Sequence, residues 1–261
     1  MCTVSLSGAI DQCEILQTIG LTAPGSIDMQ GQRAWLTDLA TSAIETCQLN
    51  AGVLSGCKAF TSSALVSPLG VAVAGNTLYA SNQDNKMSVC ALGSNGEPQS
   101  CKTDTANGTL DNPLNLVARG SRLFVANQDS NTVTVCTIGT DGSLLNCTAQ
   151  SGNGEFDQPS GITATDTAIY VTNIGDDSLT SCPLSAMGTF GTCSKYRDPL
   201  NLDRPMDVSV HGAVAYVTNM GNHTISQCTL SPGGRVSRCE SGTADGVFDL
   251  PAGIVFSSAG S

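Results

Sequence analysis

Asparagine and aspartate residues recur in two sets along the chain, and their side chains could together form a binding site. Members of the first set end an aromatic-x-x-Asn (or Asp) quartet, and members of the second lie two residues before a proline. Carboxylate and amide oxygens are suited to Ca²⁺, sugar hydroxyls or a cationic peptide. The first set is Asp38, Asn82, Asn127, Asn173 and Asn219, and the second is Asp111, Asp157, Asp203 and Asp249.

A structural role for these residues is the competing interpretation. Asn and Asp at strand ends commonly hydrogen-bond to nearby backbone groups, which is why turns use them. Their repetition at regular intervals favours this interpretation, because a binding site usually breaks a repeat. The sequence leaves both roles open.

Twelve cysteines form six pairs whose members are ten or eleven positions apart, and most pairs are centred on a turn glycine. Two residues equidistant from a hairpin turn lie opposite each other on adjacent strands, within disulfide range. Zinc sites need clusters at CxxC-like spacing, which is missing here. We therefore predict six local disulfides and an extracellular, cell-surface or periplasmic location. The pairs are Cys2–Cys13, Cys47–Cys57, Cys90–Cys101, Cys136–Cys147, Cys182–Cys193 and Cys228–Cys239.

Residues for acid-base or nucleophilic catalysis are few. The two histidines, His211 and His223, both lie in turn-like sequence, and neither has a serine or cysteine at a suggestive spacing. No catalytic residue is assigned, and no cofactor is expected unless Ca²⁺ binds the two sets of Asn and Asp side chains.

Composition excludes several classes of partner. The 11 Lys and Arg residues against 22 Asp and Glu give a formal charge of −11, so the chain offers no basic surface for nucleic acid or anionic lipid. The longest apolar runs are strand-sized, such as residues 70–74, and none is long enough to span a bilayer.

A repeat of about 45 residues positions all of these side chains. Each unit predicts four short strands separated by Gly, Asn and Asp turns, and no segment has a sustained helical period. Four antiparallel strands per unit are typical of a β-propeller blade, whereas solenoid repeats are usually shorter or helical. The units begin at Pro24, Pro68, Pro113, Pro159, Pro205 and Pro251.

The quartets carry a resemblance to a known family. Tyr170-Val171-Thr172-Asn173 and Tyr216-Val217-Thr218-Asn219 match the signature of YVTN-type β-propeller repeats, and the quartets at Tyr79 and Phe124 are looser copies. The resemblance covers residues 24–261, although the quartet at Trp35 departs from it. It implies a propeller that serves as a surface-layer protein, scaffold or lactonase. A lactonase-like metal site would draw on residue types such as Glu45, Asn82, Asn127 and Asp176.

The repeat arithmetic predicts one all-β domain over residues 1–261, a six-bladed propeller. The expected blades are 24–67, 68–112, 113–158, 159–204 and 205–250, with a sixth split between 251–261 and 1–23. This split blade lacks its second strand. Either the chain is part of a longer, seven-bladed propeller, or a strand from another copy fills the gap and gives a filament.

The leading functional hypothesis is a secreted or cell-surface structural or binding module. Its partner would be a protein, including other copies of this chain. The alternatives are a lactonase-like metal-dependent hydrolase that uses the central channel, and a lectin. A lectin is disfavoured because Trp35 is the one tryptophan available to stack on a sugar.

Overall fold

The repeat units fold into four-stranded antiparallel blades. The computed structural model describes residues 2–5, 9–13, 20–50, 52–242 and 248–256. Within them, five blades follow one another along the chain, each with its strands in sequence order from the inner to the outer edge. The helices of the described residues are two 3-10 turns of three residues each, and neither could span a membrane.

The strands have the following bounds. A separate hairpin pairs β1 (Cys2–Val4) with β2 (Ile10–Cys13). Blade 1 contains β3 (Pro24–Gln30), β4 (Arg33–Asp38), β5 (Ala43–Asn50) and β6 (Val53–Thr61), and blade 2 contains β7 (Pro68–Ala74), β8 (Thr77–Asn82), β9 (Met87–Leu92) and β10 (Pro98–Asp104). Blade 3 contains β11 (Pro113–Arg119), β12 (Arg122–Asn127), β13 (Thr132–Ile138) and β14 (Leu144–Gln150). Blade 4 contains β15 (Pro159–Ala164), β16 (Ala168–Asn173), β17 (Ser178–Pro183) and β18 (Ser194–Arg197), and blade 5 contains β19 (Pro205–His211), β20 (Val214–Asn219), β21 (Thr224–Leu230) and β22 (Val236–Gly242). Short 3-10 turns occupy Ala106–Gly108 and Gly152–Gly154.

The predicted count of six blades is not supported. The described residues form five four-stranded blades and the β1–β2 hairpin, and residues 251–256 belong to no strand. That segment nevertheless continues the ring of inner strands. Ile254 N donates to Asp207 Oδ2 at 3.0 Å in blade 5, and Gly253 lies beside Ser26 in blade 1. Part of the predicted split blade lies outside the described residues.

The opening proline and the polar residues of the quartet fix how the first two strands of each blade pair. The proline that opens an inner strand pairs with the Asn or Asp that ends the second strand, as in Pro159 with Asn173, and a bulge follows the proline. Proline lacks an N–H and therefore suits the first position of a strand. The bulge leaves a backbone N–H that donates to the quartet hydroxyl: Gly161 N donates to Thr172 Oγ1 at 2.8 Å.

The aromatic residue of the quartet is buried between blades. The Nε1 of Trp35 donates to Gly96 O at 2.9 Å, and Tyr79 Oη donates to Gly142 O at 2.8 Å. Each acceptor lies in the turn between the third and fourth strands of the next blade. The core is accordingly a series of layers between neighbouring blades, one of which packs Tyr79 and Val89 of blade 2 against Leu116 and Val125 of blade 3.

All six predicted disulfides are present. Their Cα atoms are separated by 4.0–4.1 Å, and each of the five blades carries one near its outer edge, while the sixth joins β1 to β2. The disulfides hold the outer strands, which are otherwise open edges.

Candidate functional site

The quartet asparagines are buried and bonded within their own blades. Asn173 is fully buried; its Oδ1 accepts from Asp157 N at 3.0 Å, and its Nδ2 donates to Ser178 Oγ and Thr180 Oγ1, both at 2.9 Å. The Oδ1 atoms of Asn82, Asn127 and Asn219 accept in the same way. In each blade the donor is the backbone N–H of the residue that lies two positions before the opening proline. These side chains fasten the connecting loop that leads into each inner strand. Their role in ligand binding stays a prediction.

Asp38 performs the same task in blade 1 with a carboxylate. It is 1% exposed and accepts backbone N–H groups from Thr22, Ala23, Ala40 and Thr41. Burial acts to raise the pKa of Asp38, but these four donors outweigh it and hold the pKa below its usual value. The carboxylate therefore stays ionised without a cation.

The second predicted set lies in the connecting segments, two residues before each proline. Asp111, Asp157 and Asp203 are half-buried, and Asp249 is exposed with its Oδ1 3.1 Å from His223 Nδ1. Throughout the described ranges, no three His, Cys, Asp or Glu side chains lie close enough to hold a metal ion. The ligand role predicted for these four aspartates stays a prediction.

The residue types named for a lactonase-like metal site are dispersed. Asp176 is held by Lys195 Nζ at 2.7 Å and by Arg197, while Asn82 and Asn127 bond to their own blades. Burial acts to raise the pKa of Asp176, but its bonds to Lys195, Ser178 and Arg197 lower it overall. His211 stacks on Phe256 with ring centroids 5.1 Å apart.

A cavity of about 230 Å³ lies in the central channel, and no single sequence motif marks it. Its walls are the inner strands of the five blades together with residues 254 and 255. Polar side chains enter it at positions where the repeat varies. They are Ser26, Asp28, Gln30, Asn115, Thr163, Asp207 and Ser209.

Three of these side chains meet across the channel. Each lies two residues after the proline that opens its blade: Ser26 in blade 1, Asn115 in blade 3 and Asp207 in blade 5. At the same position, blade 2 has Gly70, blade 4 has Gly161 and the segment 251–256 has Gly253. Ser26 Oγ donates to Asn115 Oδ1 at 3.1 Å, and Asn115 lies close enough to Asp207 to act on the pKa of its carboxyl, which it lowers. Two of the glycines are required by close approach of the next blade.

Those glycines show how tightly the inner strands pack. A Cβ on Gly161 would lie 2.4 Å from Asp207 Cα, and a Cβ on Gly70 would lie 2.9 Å from Asn115 Cα. The alternation of Gly with a polar residue is thus a sequence signal for this level of the channel. It is detectable only after the repeats are aligned on their prolines.

Asp207 is the most perturbed acid of the channel. It is 4% exposed and accepts backbone N–H groups from Val208 at 2.8 Å and Ile254 at 3.0 Å. Burial raises the pKa of Asp207 to about 7, against the opposing effect of these donors and of Asn115. A carboxyl with such a pKa changes charge near neutral pH.

Asp28 adds a second carboxyl, half-buried, to the cavity wall. It accepts from Met29 N and from Val73 N in blade 2, both at 2.7 Å. Burial raises the pKa of Asp28, and the two N–H donors oppose that shift. Asp28 and Asp207 are the ionisable side chains among the cavity-lining residues that the structure describes.

A sequence comparison connects this geometry to a family. The family described as lactonase, 7-bladed beta-propeller, matches residues 34–246. The chain belongs to this lactonase propeller family. The family is seven-bladed, whereas the described residues of this member form five four-stranded blades. No protein with a curated description matches the sequence.

Solved structures share the fold of this lactonase-family chain at low sequence identity. A candidate 6-phosphogluconolactonase from Bacteroides uniformis is 13% identical with a TM-score of 0.67, over 96% of this chain and 78% of that one. A streptogramin B lyase is 16% identical with a TM-score of 0.64, over 98% and 79%. A chain in a nidogen/laminin complex is 16% identical with a TM-score of 0.71, over 91% and 88%. These likenesses support the propeller fold alone.

Proposed function

We propose that the chain is a secreted or cell-surface, disulfide-stabilised binding module whose ligand site is the central channel. The observation that carries this proposal is the channel cavity, where polar side chains break the repeat and two carboxyl groups line the wall, that of Asp207 buried and that of Asp28 half-buried. The repeat predicts the two Asn and Asp sets at the mouth of the central channel, and the quartet members of the first set are engaged in fastening loops. A site built from repeat-breaking residues is the better candidate for a specific ligand.

The acidic character of the cavity decides whether a phosphorylated substrate could bind there. Among the described residues, no Lys, Arg or His lines it, so a phosphorylated lactone would meet two carboxyl groups and no cation. Phosphate groups in proteins are normally held by Arg, Lys or backbone N–H clusters. We therefore do not extend to this chain the activity for which the Bacteroides uniformis protein is named.

The experiment for this proposal is a thermal-shift screen of small polar compounds. Compounds that raise the Tm of the native chain should lose their effect in Asp207→Asn and keep it in Asp166→Asn, since Asp166 is exposed and pairs with Arg119. An effect that is lost in Asp157→Asn and kept in Asp207→Asn would place the site at the mouth and refute the proposal.

Hydrolysis of an uncharged lactone is the second candidate function. It is favoured by Asp207, whose pKa of about 7 suits a general base. Turnover of uncharged lactones that rises through pH 7 and falls at least ~100-fold in Asp207→Asn would support it. Absence of lactone turnover, with and without added calcium, would eliminate it.

Secretion is proposed from the cysteines. Every cysteine is disulfide-bonded, and disulfides persist in oxidising compartments. Intact masses should differ between reduced and non-reduced protein by two hydrogens for each of six bonds. Equal masses would refute this placement.

Assembly through strand pairing also forms part of the proposal. Residues 251–256 pair with no strand in the described part of the chain. Ile254 N is already bonded to Asp207, and we propose that the other backbone groups of the segment accept a strand by β-augmentation. Size-exclusion chromatography and negative-stain images should then show concentration-dependent oligomers or filaments. A monomer at all concentrations would rule out self-assembly.

A further inference from the structure

The channel cavity has acceptors and negative charge but, among the described residues, no cation. Its ionisable wall residues, Asp28 and Asp207, each accept two backbone N–H groups, and these donors carry no net charge. Burying a carboxylate away from water is costly unless a positive group compensates it. The cavity therefore has an unmet need for a cation when Asp207 is ionised.

Charged side chains on the surrounding strands do not meet this need. At the end of β11, Arg119 Nη2 lies 2.8 Å from Asp166 Oδ1, and at the end of β19 His211 stacks on Phe256. The other segments packed against Asp207 are β15, β20 and residues 251–256, and they carry no charged side chain. Asp207 can therefore be compensated in two ways, by its own proton at lower pH or by a cation on a bound molecule at higher pH.

The neutral groups of the wall define what kind of cation fits. Thr163 and Ser209 are among the residues that line the cavity, and their hydroxyls have no protein partner in the described residues, which leaves them available to a donor. A metal ion is disfavoured because no three acidic, His or Cys side chains of the described chain converge. An ammonium group needs fewer and less regular acceptors, since each of its N–H groups makes one hydrogen bond.

We propose that the channel cavity binds a small ligand that carries a protonated primary amine. This inference rests on the proposed function and specifies its ligand class. The ammonium group would lie between Asp207 and the hydroxyls of Thr163 and Ser209, beside the Ser26–Asn115–Asp207 cluster. Ionisation of Asp207 near neutral pH would make binding tighter as pH rises.

Calorimetric titration with putrescine and with 1,4-butanediol tests the inference, because the two differ in charge but little in size. Putrescine should bind the full chain at pH 8 at least tenfold more tightly than butanediol, and at least tenfold more weakly at pH 5.5 than at pH 8. Asp207→Asn should abolish the pH dependence and most of the affinity. Asp166→Asn should bind like the native chain.

Several results would overturn it. They are equal binding of the diol, no binding of putrescine, undiminished binding by Asp207→Asn, and tighter binding of CaCl₂ than of putrescine. If Asp207→Asn does not fold, as judged by its thermal unfolding, the double variant Thr163→Val, Ser209→Ala takes its place, and putrescine should bind it more weakly than it binds the native chain. If putrescine fails but another compound in the thermal-shift screen depends on Asp207, the amine inference fails and the proposed function stands. If no compound depends on Asp207, both fail.

Discussion

Single buried polar residues hold the loops of this propeller. Asn82, Asn127, Asn173 and Asn219 are fully buried, and each bonds a connecting loop to its own blade. Residue types at strand ends suggested this structural role, because Asn and Asp readily bond nearby backbone. The sequence could not show that the donors lie sixteen residues away, since that distance depends on how the inner and second strands pair.

Replacing one of these asparagines should destabilise the fold. Asn173→Ala leaves Asp157 N and two hydroxyl groups without their partner, and we expect a loss of about 2–4 kcal/mol in the free energy of unfolding. Urea denaturation measures it. The exposed Asn50→Ala is the matched control, with an expected change below about 0.5 kcal/mol. Equal losses in the two variants would contradict the proposed clamp.

Asp207 should make stability depend on pH. Its pKa is about 7 in the folded chain, against 3.8 for an unperturbed aspartate, so the folded state binds its proton more tightly. The free energy of unfolding should therefore fall as pH rises from about 4 to about 7. The stabilisation that comes from the proton bound to Asp207 is fully present only below about pH 4. The expected size is a few kcal/mol.

The comparison of the native chain with Asp207→Asn isolates this effect. The stability of Asp207→Asn relative to the native chain should increase between pH 4.5 and pH 8, whatever the substitution costs at a fixed pH. Thermal or urea unfolding over that range provides the measurement. Parallel pH profiles for the two proteins would show that Asp207 does not titrate in this window.

At the scale of elements, the strands followed from the sequence because each carries its own local signal. Period-two alternation, turn glycines and the opening prolines place strands such as β13 and β21 well. The inner-strand bulges were not predictable, because they arise where a proline without an N–H meets the end of the second strand.

The disulfide of one blade should stabilise its outer strand. Cys136→Ala combined with Cys147→Ala removes a bond that closes a short loop, and we expect a loss of about 3 kcal/mol. Amide hydrogen exchange should accelerate mainly in β14, the edge that the bond fastens to β13. Unchanged exchange in β14, or acceleration spread equally over all five blades, would argue against this local role.

The aromatic residues should contribute through their polar atoms as well as through burial. Tyr79→Phe removes the bond to Gly142 O in the next blade and should cost about 1 kcal/mol, which urea denaturation measures. Phe124 occupies the equivalent position in blade 3, so the substitution is sterically acceptable. Tyr170→Phe is the control, since the hydroxyl of Tyr170 has no hydrogen bond in the described residues. A cost for Tyr79→Phe no larger than for the control would refute the link between blades.

At the scale of the whole molecule, the repeat predicted blades but not their number. Residues 251–256 continue the inner ring through Ile254 and Gly253 without becoming a strand, so the repeats outnumber the four-stranded blades that the described residues form. The channel cavity was missed for a related reason. Ser26, Asn115 and Asp207 are far apart in sequence, and ring closure alone brings them together.

The most direct test of the channel as the ligand site is a crystal structure at pH 8 with the compound that most raises the Tm. Ligand density should lie inside the channel, in contact with Asp207 and the hydroxyls of Thr163 and Ser209. Density at the channel mouth, beside Asp111, Asp157 or Asp203, with water alone in the channel would contradict the assignment of the site to the channel.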